Sequence, residues 1–425
     1  MIKIHEKNDL NYIILFILFS ASNILSGYIS YLAFIYLVVL ILTNKMTNNL
    51  AIILYLIPCI RILDVSGFSN LLNILFLLVG IKYLAWERRK IDKMTLGCVI
   101  CAGIYEALHL VLYLNGAFLF SELVSYFNII FNLIIVLSVI SDKHICLQAN
   151  MSRYIKALML GVFTSSIVYF MANGFGTITM MVRGALRLYA YGNDPNYFCM
   201  YILLGILGKQ VLCENKFKDI MEIIVLFGLV FLTSSKMGLV CLGVYLMYVF
   251  VSGMYSSSNR KTLLKFGLFG MGILYFIREE IILLLQKIID RFSYGNAELT
   301  LNTISSGRFS IVMDYLNVVI DEPINLLFGY GLEYNRLFGT LVAHNTYLDI
   351  FLSWGLIGFI FVCVGCVIFI VNDQMKFNKN KIILLLVFAF MLCSLSCLTS
   401  DMFWYLLIFL VGAFRVNQKK GMEIM

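Results

Sequence analysis

Apolar residues along this chain run together in blocks, and short polar connections interrupt them. The blocks fall near 11–27, 28–43, 49–63, 70–86, 95–114, 119–140, 153–172, 196–212, 219–235, 236–252, 263–278, 346–371, 381–398 and 401–416. Most approach the roughly 20 residues that a helix needs to cross the hydrocarbon core of a bilayer. The pattern predicts an all-α fold, a polytopic membrane protein of about 12–14 transmembrane helices. The spread comes from the short first two blocks and from the pair that meets at Ser235. Ten-residue segments of alternating hydrophobicity would mark a membrane β-barrel, and the chain does not read that way. Three parts follow: an N-terminal transmembrane bundle over 1–278, an extracytoplasmic loop with amphipathic helices over 279–345, and C-terminal transmembrane helices over 346–425.

Composition agrees. Hydrophobic residues make up 61% of the chain and charged ones 13%, with a mean hydropathy of +0.91, which no ordinary soluble domain reaches. The start, MIKIHEKNDLNYIILFILFSASNIL, turns from basic to apolar without a small-residue cleavage pattern, so it reads as an uncleaved first anchor. Cysteines fall mostly within apolar blocks and read as small packed hydrophobes, the Cys363/Cys366 pair included.

Charge sets the orientation. With the N-terminus inside, the basic clusters WERRKIDK, SDKHICLQANMSRYIK, GKQVLCENKFK, SSSNRKTLLK, KFNKNK and RVNQKK all fall on the cytoplasmic side, as the positive-inside rule demands. Topology therefore explains the formal net charge of +8, and no nucleic-acid partner is required. Nine of the 32 lysines and arginines sit instead on the outer face: Arg61, Arg183, Arg187, Lys236, Arg278, Lys287, Arg291, Arg308 and Arg336.

The outer loops hold most of the candidate chemistry. EEIILLLQKIIDRF, residues 279–292, has the spacing of a helix lying on a membrane surface. In the next helical stretch Ser310, Asp314, Asn317 and Asp321 share one face, while Phe309, Val312, Leu316 and Val319 form an apolar stripe. Arg308 sits in its first turn, either as half of an anion site with the free N–H groups there or paired with a carboxylate of the same loop. Gly329 and Gly331 suit a tight turn or close backbone approach. His344 and Asn345 stand immediately before the apolar block at 346, where Asn345 is a natural helix cap. Arg183 and Arg187 are four apart and share a face if helical; Asp194 and Pro195 read as a helix entrance. Lys236 lies at the outer end of a tight hairpin and Asp401 at the outer end of the last one. Within a span, Glu106 and His109 share a helix face and suit either a relay or a mutual hydrogen bond.

The order of these pieces resembles the O-antigen polymerase/ligase superfamily of bacterial envelope enzymes. The matching residues are Asp194-Pro195-Asn196, Ser306-Gly307-Arg308, Gly329-Tyr330-Gly331, His344-Asn345-Thr346-Tyr347-Leu348 and Gly355-Leu356-Ile357-Gly358. The match is best over 300–360 and weaker over 180–240. A hairpin arginine of the family corresponds to Lys236, which keeps the charge without the bidentate geometry. The resemblance implies glycosyl transfer from a polyprenyl-pyrophosphate-linked oligosaccharide at the outer face of a bacterial cytoplasmic membrane. Arg183, Arg187, Lys236 and Arg308 would stabilise the pyrophosphate, and His344 would take the acceptor's proton, with Asp194 or Asp401 sharing or replacing that role. Asn196, Gly329, Tyr330, Gly331 and Asn345 would support the site. No metal or other cofactor is implied. Membrane lipids, a chain-length regulator and a flippase of the same pathway are the expected partners. Polymerisation of repeat units is the leading reading; a ligase using the same donor, or a lipid-linked oligosaccharide flippase, are the alternatives.

Overall fold

A computed structural model describes residues 3–25, 28–63, 71–87, 93–113, 120–142, 145, 148–174, 180–182, 185–188, 190–192, 194–212, 217–255, 305, 307–332, 334–337, 343–372 and 378–415. The described chain is mainly helical, with one small hairpin. Its N-terminal part comprises α1 (Lys3–Ile24), α2 (Ile29–Thr43), α3 (Met46–Leu56), α4 (Leu71–Lys82), α5 (Lys93–Tyr113), α6 (Phe120–Ser141) and α7 (Gln148–Asn173). The strands β1 (Met180–Val182) and β2 (Ala185–Arg187) then pair antiparallel, with Met180 opposite Arg187. After them come α8 (Pro195–Leu212), α9 (Phe217–Thr233), α10 (Lys236–Tyr255), α11 (Arg308–Asp321), α12 (Pro323–Phe328), α13 (Tyr334–Leu337), α14 (Thr346–Asn372), α15 (Lys379–Leu392) and α16 (Asp401–Arg415).

Among the described residues, four stretches are long and apolar enough to cross a membrane: Met46–Leu63, Leu123–Ser141, Asn150–Asn173 and Thr346–Val367. The first combines α3 with a 3-10 segment, Ile57–Leu63, that begins where Pro58 removes a backbone donor. The expected spans recur as helices where the chain is described, with one shortened at its end; the block at 263–278 and the amphipathic segment 279–292 lie outside the described residues.

Helix α7 is central, packing on α1, α3, α8 and α16. Its approach to α3 is close because Gly161 has no side chain: a Cβ there would collide with the Tyr55 backbone. Close contact of this kind holds helices together where solvent gives no hydrophobic drive. The C-terminal helices join the same bundle, α15 against α8 and α10, and α16 against α6 and α7.

Polar side chains gather at two opposite ends of the bundle, and the pairings show successive helices alternating in direction. At one end Lys82 donates to the Ile41 carbonyl (2.8 Å) and to that of Asn44, and pairs with Glu87 at 3.1 Å. Lys381 donates to the Phe414 carbonyl, Arg415 to that of Ile140, and Arg153 to Asn48 at 2.7 Å. Ion pairs join Lys156 to Asp9 and Lys209 to Glu222. At the other end Tyr191 donates to Asn23 (2.7 Å), its N–H meets Ser165 (2.9 Å), and its carbonyl accepts from Arg61 (3.0 Å).

Four local expectations change. Arg187 lies in the strand β2, so it is not on a helix face, and Arg183 lies outside the described residues. The last hairpin's first span stops at Leu392 instead of 398, and 393–400 run irregularly with Leu395, Cys397 and Leu398 buried. On α11 the expected stripe packs in part: Val319 is buried and Val312 packs beside it, but Phe309 is exposed, and Tyr315 with Ile311 completes the docking face among the described residues. Finally, Cys363 and Cys366 are exposed on α14 and do not pack in the core.

Candidate functional site

The first turn of α8 is the hub. Asp194 caps it, its carboxylate accepting the Asn196 N–H at 2.7 Å while its carbonyl takes that of Phe198 at 3.0 Å; Pro195 follows in the first helical position, where a missing N–H costs nothing. The Asn196 carboxamide oxygen then accepts twice, from Arg187 Nη2 (3.0 Å) and from the Ser235 hydroxyl (2.8 Å). Arg187 also donates through Nε to the Thr233 carbonyl at 3.1 Å. Ser235 caps α10, accepting the Gly238 N–H at 3.2 Å. One buried network therefore ties β2, the end of α9 and the starts of α8 and α10. Arg187 and Asn196, both expected at the site, are direct partners, and Lys236, half-buried, is the first residue of α10.

On its other side α8 meets the irregular 393–400 segment. Tyr197 donates its hydroxyl to the Ser396 carbonyl. Thr346, the first residue of α14, donates to the Leu395 carbonyl at 2.6 Å and accepts from the Cys397 N–H at 3.2 Å. Asn345 caps α14 as expected, its side-chain oxygen taking the N–H groups of Tyr347 (3.0 Å) and Leu348 (3.2 Å). One turn inside that helix the buried Asp349 carboxylate faces Tyr197, Cys397 and Ser396 and accepts a hydrogen bond from Tyr334. Burial, and after it the Asp349 carboxylate, push the Tyr334 phenol above its ordinary range, so it stays protonated and donates. At the same end Asp401 accepts from Asn132 at 2.6 Å, with Asn128 alongside.

Backbone strain concentrates here. Among the described residues, the non-glycines with positive φ are Ala190 (45°), Ser234 (48°) and His344 (51°). They stand in the turns that feed α8, α10 and α14. Each left-handed non-glycine costs on the order of 1–3 kcal/mol and persists only where its surroundings over-determine it, a habit of functional sites.

The two glycine motifs turn out to be one device. Gly355 (φ 63°, ψ −170°) breaks α14, leaving the Leu352, Ser353 and Trp354 carbonyls without their usual helical donors. Gly329-Tyr330-Gly331 supplies two replacements, Tyr330 N–H to Leu352 O (2.6 Å) and Gly331 N–H to Ser353 O (3.0 Å). Tyr105 of α5 donates to the third. Glu106 and His109, buried on α5, attend the same joint: Glu106 faces Trp354 and His109 faces the Phe328 backbone, where a mutual bond was one expectation.

Arg308 is half-buried at the start of α11, preceded by left-handed Gly307. It lies on the helix face that includes Tyr315 and Val319, which pack with Tyr330, Tyr334 and Leu348. Between α11 and α14 runs an apolar cleft of about 390 Å³ lined by Val312, Leu316, Leu348, Phe351, Leu356 and Phe359, with Asn345 among its lining residues. Among the described residues no three His, Cys, Asp or Glu side chains gather as metal ligands would. Sequence reasoning missed Asp349, Tyr334 and Tyr197. A lone carboxylate in an apolar helix was the available signal for the first. Compared with known proteins, the chain matches no family model, no curated protein and no solved structure.

Proposed function

We propose that this protein is a membrane glycosyltransferase that polymerises polyprenyl-pyrophosphate-linked oligosaccharide repeat units into O-antigen or capsular polysaccharide at the outer face of a bacterial cytoplasmic membrane. The observation that carries the reading is the convergence at α8's first turn. There the Asp194-Pro195-Asn196 segment is joined to Arg187 and to α10 on one side, and through 393–400 to the mouth of α14 on the other. Asp194-Pro195-Asn196, the start of α10 and the mouth of α14 are among the stretches on which the family resemblance rests, and they share the end of the bundle opposite the lysine-rich one. Under the positive-inside rule that end is extracytoplasmic.

In this reading the departing lipid pyrophosphate gathers negative charge, which Lys236, Arg308 and Arg183 neutralise. Arg187, already bonded to Asn196 and the Thr233 carbonyl, holds the first turn of α8 against the end of α9 and adds its charge there. His344 takes the proton from the attacking sugar hydroxyl, the general-base role that histidine fills most often. The apolar cleft along α14 receives the lipid chain. A transport reading draws on one different observation, the broken helix α14 with Glu106 and His109 beside the break, because discontinuous helices and buried ionisable groups also build transporter sites.

The test is reconstitution of the purified protein with lipid-linked repeat units, resolving products by length, beside His344→Ala and Arg308→Ala. A ladder that either variant abolishes supports polymerisation at this site. Transfer of a single glycan to another acceptor would replace the polymerase with a ligase. Movement of intact lipid across liposomes without new glycosidic bonds would overturn the enzyme reading.

A further inference from the structure

We propose that Tyr334 and Asp349 are positioning residues that hold His344 in its left-handed backbone conformation at the mouth of α14, and so set its imidazole for reaction. The inference rests on the reading of His344 as the acceptor's base.

The link is a short chain of buried contacts. Asp349 accepts the Tyr334 phenol hydrogen, and the Tyr334 oxygen in turn accepts the Ala343 N–H at 3.3 Å. Ala343 is fully buried and directly precedes His344. On the far side of His344, the Asn345 side chain is fixed by two N–H groups of α14's first turn. His344 therefore bridges two anchored neighbours, and its φ of 51° is the turn between them. Without the phenol, the backbone before His344 loses one anchor and the left-handed state its over-determination.

The same pair reaches further. The Asp349 carboxylate faces Ser396 and Tyr197, so the mouth of α14 is registered against α8's first turn. Tyr315 of α11 packs edge-on against the Tyr334 ring at 5.4 Å, which registers the helix that Arg308 begins. A proton acceptor and a cation from distant parts of the chain are thereby aligned by one phenol and one carboxylate. The phenol's burial beside a carboxylate keeps its proton in place, as a fixed donor requires.

The variants are Tyr334→Phe, which keeps the ring packing on Tyr315, and Asp349→Asn, which keeps an oxygen acceptor, with Asp349→Ala for comparison. Each is purified in lipid nanodiscs and read in two ways. Hydrogen–deuterium exchange of the peptide covering 343–345 is expected to quicken about tenfold or more in Tyr334→Phe, with the rest of the bundle unchanged. Kinetics on lipid-linked repeat units are expected to lose about 10–100-fold in kcat with KM within about twofold, the mark of a misplaced reacting group. Asp349→Asn should restore part of what Asp349→Ala loses, and adding Tyr334→Phe to His344→Ala should cost no more than His344→Ala alone. Unchanged exchange at 343–345 overturns the latch whatever the activity. A loss confined to KM, or one that adds to that of His344→Ala, overturns its role through His344. If His344→Ala itself keeps the full kcat, the reading of His344 as base fails, and exchange alone still judges the latch.

Discussion

Gly329→Ala tests the joint in α14 directly. Gly329 has φ 82° and ψ −173°, a region that is essentially glycine-only, and Gly355 opposite it has φ 63° and ψ −170°. A Cβ on Gly329 would lie 2.5 Å from the Gly355 nitrogen and from the Ser353 carbonyl oxygen, both rigid backbone atoms. The substitution thus imposes backbone strain of about 1–3 kcal/mol and pushes the two segments apart. Separation stretches the Tyr330–Leu352 and Gly331–Ser353 hydrogen bonds, each worth roughly 1 kcal/mol. Together the loss is about 3–5 kcal/mol, which at this chain length corresponds to a Tm lower by about 3–5 °C. Gly243→Ala supplies the opposite sign: it sits exposed in the interior of α10 with nothing within 4 Å of the new Cβ, so alanine should stabilise by about 0.5–1 kcal/mol. Both are compared with the parent protein by tryptophan fluorescence at one scan rate, Trp354 beside the break serving as reporter. If Gly329→Ala melts within about a degree of Gly243→Ala, the joint is not the constraint described here.

Two further outcomes follow from the same geometry. Asn345→Ala removes the cap of α14 and should cost about 1 kcal/mol in Tm-derived stability, whereas Asn345→Asp, an equally good cap, should hold the parent's Tm. Tyr105→Phe strips the donor from the Trp354 carbonyl at the break and should destabilise by about 1–3 kcal/mol, seen as a lower melting temperature and faster exchange in 352–358.

Hydropathy is a local property, so the helices were legible where it changes sharply. The turn between α9 and α10 at Ser235 stands where the two apolar blocks meet, and Asn345 reads as a cap from its place alone. The break in α14 was not legible as a break, because the sequence remains apolar straight through Gly355-Leu356-Ile357-Gly358. Its partner lies 26 positions earlier, in Gly329, whose backbone packs directly against Gly355. The irregular 393–400 stretch was hidden for the same reason: its partners Thr346 and Tyr197 are far away in the chain. Arg183 and Arg187 suggested a shared face through their spacing of four, although Arg187 lies in a strand. Asp349 and Tyr334, 15 residues apart, match no motif; only the packing of α11 and α13 onto α14 makes them neighbours.

Three cations at the lysine-rich end each finish a helix other than their own: Lys82 covers carbonyls at the end of α2, Lys381 one in the last turn of α16, and Arg415 one in the last turn of α6. Under the proposed orientation they are also part of the charge that keeps this end in the cytoplasm. Direction of insertion and termination of helices are therefore encoded by the same side chains. An engineer who transplanted these charges to invert the protein would unravel three final turns while doing so. Neutral donors such as glutamine at 82, 381 and 415 would separate the two instructions, keeping the turns closed while removing these charges from the address.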